Sequence, residues 1–337
     1  MNKLLSTIVA LYNNEMYLRQ CIDSIYRQGL SDDEFEVIII DDGSTDGGGA
    51  LADSIASSHN NMRVVHQENK GLGMARNAGL GIATGKYLHF VDADDFLLAG
   101  SYRHIVDNLM PQDTDIIVFD RVKDAAYGEK MVAGTINYVG NIRGYIDKNY
   151  MRVMVWLKLF KRSFMETYSM KWPAICYGED TALTWDALRH DGTLLVSSDK
   201  VYSYRTNPHS IERTRDVEQV KKTIDDMIEV NNLLKGYAPH YDGCDPVRSN
   251  FTHKYRVLFN RILCTPYTFR ETRKIFAQCA AIGISHLHRD KDIKIYNLLY
   301  KYPILYFVFK WFIRAAYFAR YKADDGSTDL INHKLSN

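Results

Sequence analysis

The stretch that decides the fold is Lys86-Tyr87-Leu88-His89-Phe90-Val91-Asp92-Ala93-Asp94-Asp95. Its first six residues have the apolar, β-prone character of a buried strand, and three carboxylates follow within four positions. Like charges this close are costly unless a cation or hydrogen-bond donors neutralise them. Hard divalent cations prefer oxygen ligands of this kind. The stretch therefore predicts a strand that ends at a metal and phosphate site, and an acidic turn that caps the next helix is the alternative.

Size and composition exclude several classes of protein. The 337 residues, 46% of them hydrophobic, can form one large core or a core with a smaller lobe. The sequence has 42 basic and 41 acidic side chains, so its formal net charge of +1 does not attract the chain to nucleic acid. The five cysteines show no paired spacing, which favours reduced thiols and a cytoplasmic setting. The apolar run 4–11 lacks a small-residue cleavage site and predicts a first strand, not a signal peptide.

Short β-rich runs alternate with amphipathic helical segments as far as about residue 120. Strands are predicted at 4–9, 37–40, 63–66, 86–91 and 116–119, and helices near 15–28, 49–58 and 72–83. This alternation predicts a mostly parallel sheet covered by helices, with a ligand site beyond the carboxyl ends of the strands. The pattern is less regular over 121–215 and becomes helical from about residue 216.

Three polar clusters fall at predicted strand ends. They are Tyr12-Asn13-Asn14, the run DDGSTD at 41–46, and the acids at 92–95. Each cluster alone could be an ordinary turn between a strand and a helix. Because parallel strands bring their carboxyl ends to one edge of a sheet, we expect the three clusters to share a pocket.

A series of motifs in order resembles glycosyltransferase family 2, the inverting nucleotide-sugar transferases. The motifs are STIVALYN (6–13), DDGSTD (41–46), ENKGLGMARNAG (68–79), DADD (92–95), WLKLFKR (156–162), EDT (179–181), YR (204–205) and HSI (209–211). The resemblance implies an α/β GT-A fold, Rossmann-like, with a mostly parallel central sheet flanked by helices. It implies a catalytic domain at 1–215, with a nucleotide-sugar half at about 1–120 and an acceptor half at about 121–215. A helical C-terminal region, 216–337, would follow.

The resemblance also implies roles for individual residues. The donor nucleotide, a UDP-sugar, would contact Leu11, Tyr12, Asn13, Asp41, Asp42, Lys70, Arg76, Asp92, Asp94, Arg205 and His209. One of Asp41 and Asp42 would accept the imide N–H of uracil. Asp94, with Asp92, would ligate Mn²⁺ or Mg²⁺, and Asp95 would support them. For Arg205 and His209, a solvated surface loop is an equally good interpretation.

Inverting transfer needs a base opposite the leaving diphosphate, because the acceptor hydroxyl loses its proton as it attacks. The resemblance gives this role to Asp180, with Glu179 as the second candidate. Both acids could instead cap the helix that follows them, since acids stabilise a first helical turn. A divalent ion would stabilise the charge that develops on the departing diphosphate.

Other patterns are less informative. GLGMAR at 71–76 lacks the third glycine of a dinucleotide-binding loop, which disfavours a Rossmann oxidoreductase, and no Gly-Lys-Ser/Thr completes a P-loop. The run DDGSTD recurs at 324–329, but without a preceding strand it is interpreted as part of a polar tail with no site.

A basic, aromatic amphipathic segment lies at about 300–322. Its longest uncharged run is the eight residues 302–309, far short of the roughly 20 needed to span a bilayer. No acid occurs over 293–323, whereas six lysines and arginines do. The segment is typical of an interfacial helix on an anionic leaflet, and a helix docked on the catalytic domain is the alternative.

The family resemblance implies a glycosyltransferase that extends a glycan or lipid-linked glycan during assembly of bacterial capsule, O-antigen or exopolysaccharide. The cysteine usage and the basic aromatic segment predict that it is cytoplasmic and peripheral on the inner leaflet. A sugar nucleotidyltransferase is one alternative, although its glycine-rich, lysine-bearing N-terminal loop is missing. A non-catalytic nucleotide-sugar-binding module is another, and the intact acids at Asp92, Asp94 and Asp180 argue against it.

Overall fold

The structure is a computed structural model that describes residues 3–207, 216–237 and 267–281, together with positions 258, 262, 308 and 311. The chain divides into two units, Met1–Asn207 and Pro208–Asn337. Of the predicted C-terminal features, the basic aromatic segment lies outside the described residues except for positions 308 and 311, and the polar tail lies outside them entirely. No described helix is long and apolar enough to cross a bilayer.

Strands of one sheet occupy the first unit. They are β1 (Leu5–Leu11), β2 (Phe35–Asp41), β3 (Met62–His66), β4 (Tyr87–Asp92), β5 (Phe96–Leu97), β6 (Ile116–Lys123), β7 (Ile136–Asn141), β8 (Lys158–Lys161) and β9 (Thr193–Tyr204).

Helices connect and cover these strands. In the first unit they are α1 (Glu15–Tyr26), α2 (Gly48–Ala56), α3 (Leu72–Ile82), α4 (Ser101–His104), α5 (Ile142–Ile146), α6 (Arg162–Thr167) and α7 (Glu179–Leu188). The second unit contains α8 (Val217–Tyr237) and α9 (Phe269–Ala281). The helical pattern predicted from residue 216 onward agrees with these two helices.

The sheet has the strand order β3-β2-β1-β4-β8-β6-β9-β5, and β7 pairs with β9. Its first four strands are parallel, as their alternation with helices predicts. Beyond them the sheet is mixed, because β8 runs antiparallel to both of its neighbours, while β6 and β9 are parallel. Regular crossover helices enforce parallel pairing, and the irregular sequence after residue 121 does not supply a regular series of them.

The register places the polar clusters at one edge. Leu11 pairs with Asp41, Ala10 pairs with Asp92, and Asp41 pairs with His66. Every residue of β1 and β2 is buried, as in a parallel sheet covered on both faces. The carboxyl ends of four strands therefore converge where the sequence predicts a ligand site.

Helix α3 lies close to β1 at a glycine. A Cβ added to Gly79 would clash with the Cγ2 atom of Ile8. A side chain at this position would push α3 off the sheet, and α3 carries the central cation of the site described below.

Two alanine substitutions in α3 test this close approach. Gly79→Ala should lower the free energy of unfolding by about 1–3 kcal/mol through overpacking. Gly81→Ala is the matched control, because a Cβ there meets no described heavy atom within 4 Å, and it should raise stability by up to about 1 kcal/mol through helix propensity. Urea denaturation measures both. A Gly79→Ala variant as stable as wild type would contradict the packing described here.

Candidate active site

The centre of the site is the buried guanidinium of Arg76, which three carboxylates surround. Its Nη2 atom lies 2.7 Å from Asp92 Oδ1. Its Nη1 atom lies 2.6 Å from Asp180 Oδ1 and 3.2 Å from Glu179 Oε1. One side chain on α3 thus joins the end of β4 to the first turn of α7, whose acids lie more than 100 residues after the arginine in the sequence.

Local contacts fix where Arg76 lies. Helix α3 begins after Gly71, whose φ of +91° favours glycine. The Asn77 side chain donates to the carbonyl oxygen of Trp172 and accepts from its amide, each at 2.9 Å. The guanidinium of Arg76 lies 5.9 Å from the centroid of the Trp172 ring. The loop before α7 is therefore docked on α3 next to the arginine.

The cluster carries more negative than positive charge. Burial, reinforced by the charge of Asp180, raises the pKa of Glu179 to about 8, although Arg76 opposes the shift. Burial also raises the pKa of Asp92 to about 6; Arg76 opposes it, and Asp94 and Asp180 add to it. One guanidinium does not neutralise these acids, so the site has an electrostatic need for further positive charge.

The turn at 92–95 is held against the end of β9. Asp95 accepts hydrogen bonds from the Tyr202 hydroxyl at 2.8 Å and from the Arg205 amide at 2.7 Å. Burial, followed by the charges of Asp92 and Asp94, raises the pKa of Asp95 well above its usual range. Asp95 therefore supports the turn, and it does not cap α4, which begins after Gly100.

Asp94 is partly exposed in this turn. Its Oδ2 atom accepts a hydrogen bond from Asn207 Nδ2 at 2.7 Å, and its carbonyl oxygen accepts one from Arg205 Nε at 2.8 Å. The Arg205 guanidinium also donates to the Gln20 side chain and lies 4.8 Å from the centroid of the Tyr17 ring. The described contacts of Arg205 thus brace the turn, and His209 lies outside the described residues.

The predicted nucleotide loops are joined to each other by hydrogen bonds. The amide of Asn13 donates to Ser44 Oγ at 3.1 Å, and its side-chain oxygen accepts from the Thr45 amide at 2.7 Å. The Asp42 amide donates to the carbonyl oxygen of Leu11 at 2.8 Å. Tyr12 between them is 46% exposed, so its ring is available to stack on a planar ligand.

The two acids after β2 have different surroundings. Asp42 accepts from the main-chain amides of Lys70 and Gly71, at 2.9 and 2.8 Å. Burial acts to raise the pKa of Asp41, but hydrogen bonds from Ser44 and His66 outweigh it and hold the pKa below its usual value. The structure therefore brings Asp41, Asp42 and the main chain of Lys70 together behind Tyr12.

Sequence reasoning missed several of these partners. His66 binds Asp41, Tyr202 and Asn207 bind the acidic turn, and the Val155 amide donates to Asp180 Oδ2 at 3.1 Å. Only His66 carried a usable signal, since it ends a predicted strand at the ligand edge. The other contacts depend on how the irregular second half folds back.

The acids fit a divalent cation that a ligand would help to hold. Among the residues that the structure describes, no group of three or more His, Cys, Asp or Glu side chains forms a ready set of metal ligands. Mg²⁺ is usually bound by one or two carboxylates together with substrate phosphates, and Mn²⁺ accepts the same oxygen ligands. Asp94 and Asp92, in an acidic environment at the edge of the sheet, suit that arrangement.

Solved structures define the fold class. S. aureus TarS residues 1–349 in complex with UDP-GlcNAc superpose with a TM-score of 0.54 at 17% identity, covering 86% of this chain and 88% of that one. The mannosyltransferase PcManGT from Pyrobaculum calidifontis, in complex with GDP-Man and Mn²⁺, gives 0.53 at 18% identity over 92% and 88%. The fold is the GT-A type, as the sequence predicts.

The sequence is similar to a known family of glycosyltransferases. Residues 6–169 match the model of glycosyl transferase family 2. The glycosyltransferase EpsJ of Bacillus subtilis, described as uncharacterized, is 29% identical over 218 residues, which are 62% of this chain and 62% of EpsJ. These matches support a family 2 glycosyltransferase, and the chain spans about three fifths of the length of this curated relative.

Glu179→Gln tests the protonation of the buried cluster. Because the folded state raises the pKa of Glu179 to about 8, the folded protein binds this proton more tightly than the unfolded chain. The contribution of Glu179 to the free energy of unfolding of the wild-type protein is therefore fully present below about pH 4.5, and it is lost as the pH rises through about 8. Glutamine keeps the uncharged shape and does not titrate.

We expect Glu179→Gln to become steadily more stable than wild type between about pH 5 and pH 8. Urea denaturation in EDTA at a series of pH values measures the difference in free energy of unfolding. Parallel stability curves for the two proteins would contradict the raised pKa.

Proposed function

We propose that this chain is an inverting glycosyltransferase that moves a sugar from a UDP-linked donor to a glycan acceptor. The observation that carries the proposal is the Arg76 cluster, which joins the acidic turn at Asp92 to the Asp180 carboxylate. A donor site and a base are thereby held in one rigid unit. The match to family 2 over residues 6–169 and the likeness to TarS and PcManGT support a nucleotide-sugar donor.

The donor nucleotide would lie on the loops after β1 and β2. Leu11, Tyr12 and Asn13 would contact the base, with the exposed Tyr12 ring stacked on it. Asp41 or Asp42 would accept the imide N–H of uracil, and Asp92 would reach the ribose. Positive charge around the donor is proposed to come from Lys70, Arg76, Arg205 and His209. Arg76 would act indirectly, because it holds the acids that surround it.

Asp94, with Asp92, would hold Mn²⁺ or Mg²⁺ against the diphosphate. When bound, the ion supplies Lewis-acid stabilisation of the charge that develops on the leaving group. Asn207 fixes one Asp94 oxygen by a hydrogen bond, so the carboxylate keeps one orientation. The PcManGT complex contains Mn²⁺, which supports this assignment.

Asp180 is the proposed base. The acceptor hydroxyl oxygen attacks the anomeric carbon, the bond from that carbon to the diphosphate oxygen breaks, and the hydroxyl proton passes to Asp180. Arg76 and the Val155 amide each bind one oxygen of this carboxylate. They fix its direction and leave a lone pair on each oxygen for the proton. Glu179, with its raised pKa, is the second candidate.

We place this activity on the cytoplasmic face of the membrane, in the assembly of bacterial capsule, O-antigen or exopolysaccharide on a glycan or lipid-linked acceptor. The family resemblance and the basic aromatic segment at about 300–322 support this setting. Co-sedimentation with anionic vesicles, lost in neutral ones, tests the membrane contact. A protein that sediments with neither type of vesicle would remove the membrane contact from the proposal.

Asp94→Asn tests the metal assignment. A panel of UDP- and GDP-sugars, with and without Mn²⁺, should show the largest rise in melting temperature for a UDP-sugar with Mn²⁺, because ligands that bind only the folded state stabilise it. The variant should lose the Mn²⁺-dependent part of that rise and at least about 100-fold in transfer rate. Asp33→Asn, at an exposed acid before β2, is the control and should behave as wild type. Full activity of Asp94→Asn would refute the assignment.

Asp180→Asn tests the base. We expect donor binding, measured by thermal shift, to be unchanged, and transfer to fall by about 100- to 10,000-fold. Asp186→Asn on the same helix is the matched control, since Asp186 pairs with Arg189 instead of Arg76. Retained turnover in Asp180→Asn, with loss in Glu179→Gln, would move the role to Glu179.

A further inference from the structure

Lys158 on β8 is a buried basic residue that is not among the donor-binding, metal-binding and base residues of the proposed reaction. It lies in the WLKLFKR motif, and the residue is 1% exposed. Its Nζ atom donates to the carbonyl oxygens of Arg152 and Met154, both at 2.7 Å. Among the described residues, no carboxylate forms an ion pair with it.

A buried ammonium held only by carbonyls is costly. Taking a charge out of water without an opposite charge is unfavourable, and burial lowers the pKa of Lys158 to about 7 although the charge of Asp180 opposes the shift. A methionine of similar length would fill the same space without that cost. The contribution of Lys158 must therefore come from what its two hydrogen bonds hold in place.

These bonds hold the loop that touches the proposed base. Between the two bound carbonyls, the Val153 carbonyl oxygen accepts a hydrogen bond from Thr184 Oγ1 at 2.6 Å, so three successive carbonyls are fixed. The next amide, that of Val155, donates to Asp180 Oδ2. Since Arg76 fixes the other oxygen, the carboxylate is held from two sides.

We propose that Lys158 is a positioning residue of the transfer reaction, because its ammonium fixes the carbonyls of Arg152 and Met154 and thereby aims the Val155 amide at the Asp180 carboxylate. The inference rests on the proposed function, in which Asp180 is the base. Lys158 contacts neither donor nor acceptor in this role. Its loss should therefore change turnover and leave donor binding alone.

Lys158→Met removes the donors and keeps the shape. We expect kcat for transfer to fall about 10- to 100-fold, because a small misplacement of a catalytic group has effects of this size, while the KM for the donor stays within about twofold. Lys161→Met is the matched control on the same strand, since Lys161 pairs with Asp113, and its kcat should match wild type. The donor-induced rise in melting temperature reports folding and donor binding in each variant.

Val155→Pro removes the amide itself. Val155 opens a short 3₁₀ turn, and Met154 before it is extended, with φ −62° and ψ 123°, so proline fits there and deletes the one N–H. If Lys158 acts through this amide, Val155→Pro and the double variant Lys158→Met/Val155→Pro should show the same kcat as Lys158→Met, within about twofold.

The outcomes separate the inference from the function on which it rests. The positioning role is overturned if kcat is unchanged in Lys158→Met, or if the losses of the two single variants multiply in the double variant. The proposed function still stands in that case, provided that Asp180→Asn is inactive. Full activity of Asp180→Asn overturns the base assignment instead. If Lys158→Met shows no donor-induced shift, Val155→Pro decides instead, because it removes the amide through which Lys158 is proposed to act and leaves the ammonium in place. A fall in kcat at constant KM then supports the inference, and an unchanged kcat overturns it.

Discussion

The arrangement of the site depends on one ionic interaction, the buried Arg76 guanidinium with Asp92, Glu179 and Asp180. Burying three acids without a partner would be prohibitive, and removing one member of a buried ion pair typically costs about 3–5 kcal/mol. The arginine therefore makes it possible for acids from β4 and α7 to lie side by side. It also fixes the distance between the proposed donor site and the proposed base.

The rest of the site follows from how the sheet delivers these groups. Parallel register brings the ends of β1, β2 and β4 to one edge, and the end of β9 closes on the acidic turn through Tyr202, Arg205 and Asn207. Since Arg76 does not neutralise the whole cluster, excess negative charge remains next to Asp94. A divalent cation brought with a diphosphate would balance it.

Local pattern was enough to predict the first half of the fold. Alternating strands and helices with turn residues between them specify parallel strands, and the positions of the predicted elements up to β4 agree with the structure to within a few residues. Tyr12, Asp42 and Asp94 could be selected because each follows a predicted strand.

The sequence did not reveal the long-range partners. It grouped Arg76 and Arg205 with the nucleotide, whereas the structure pairs Arg76 with acids that include Glu179 and Asp180 and uses Arg205 to brace the acidic turn. Neither contact has a local periodic signal. The strand order in the mixed half of the sheet was not predicted for the same reason, because the position of β8 between β4 and β6 depends on tertiary packing.

The central claim is that these acids share a cation with a nucleotide diphosphate. Its most direct test is a crystal structure with UDP and Mn²⁺, with diffraction data collected at a wavelength where manganese scatters anomalously. We expect an anomalous peak within about 2.0–2.3 Å of an Asp94 carboxylate oxygen, with the diphosphate bound to the same ion and the uracil against Tyr12. A peak elsewhere, or UDP bound away from Tyr12 and Asp42, would contradict it.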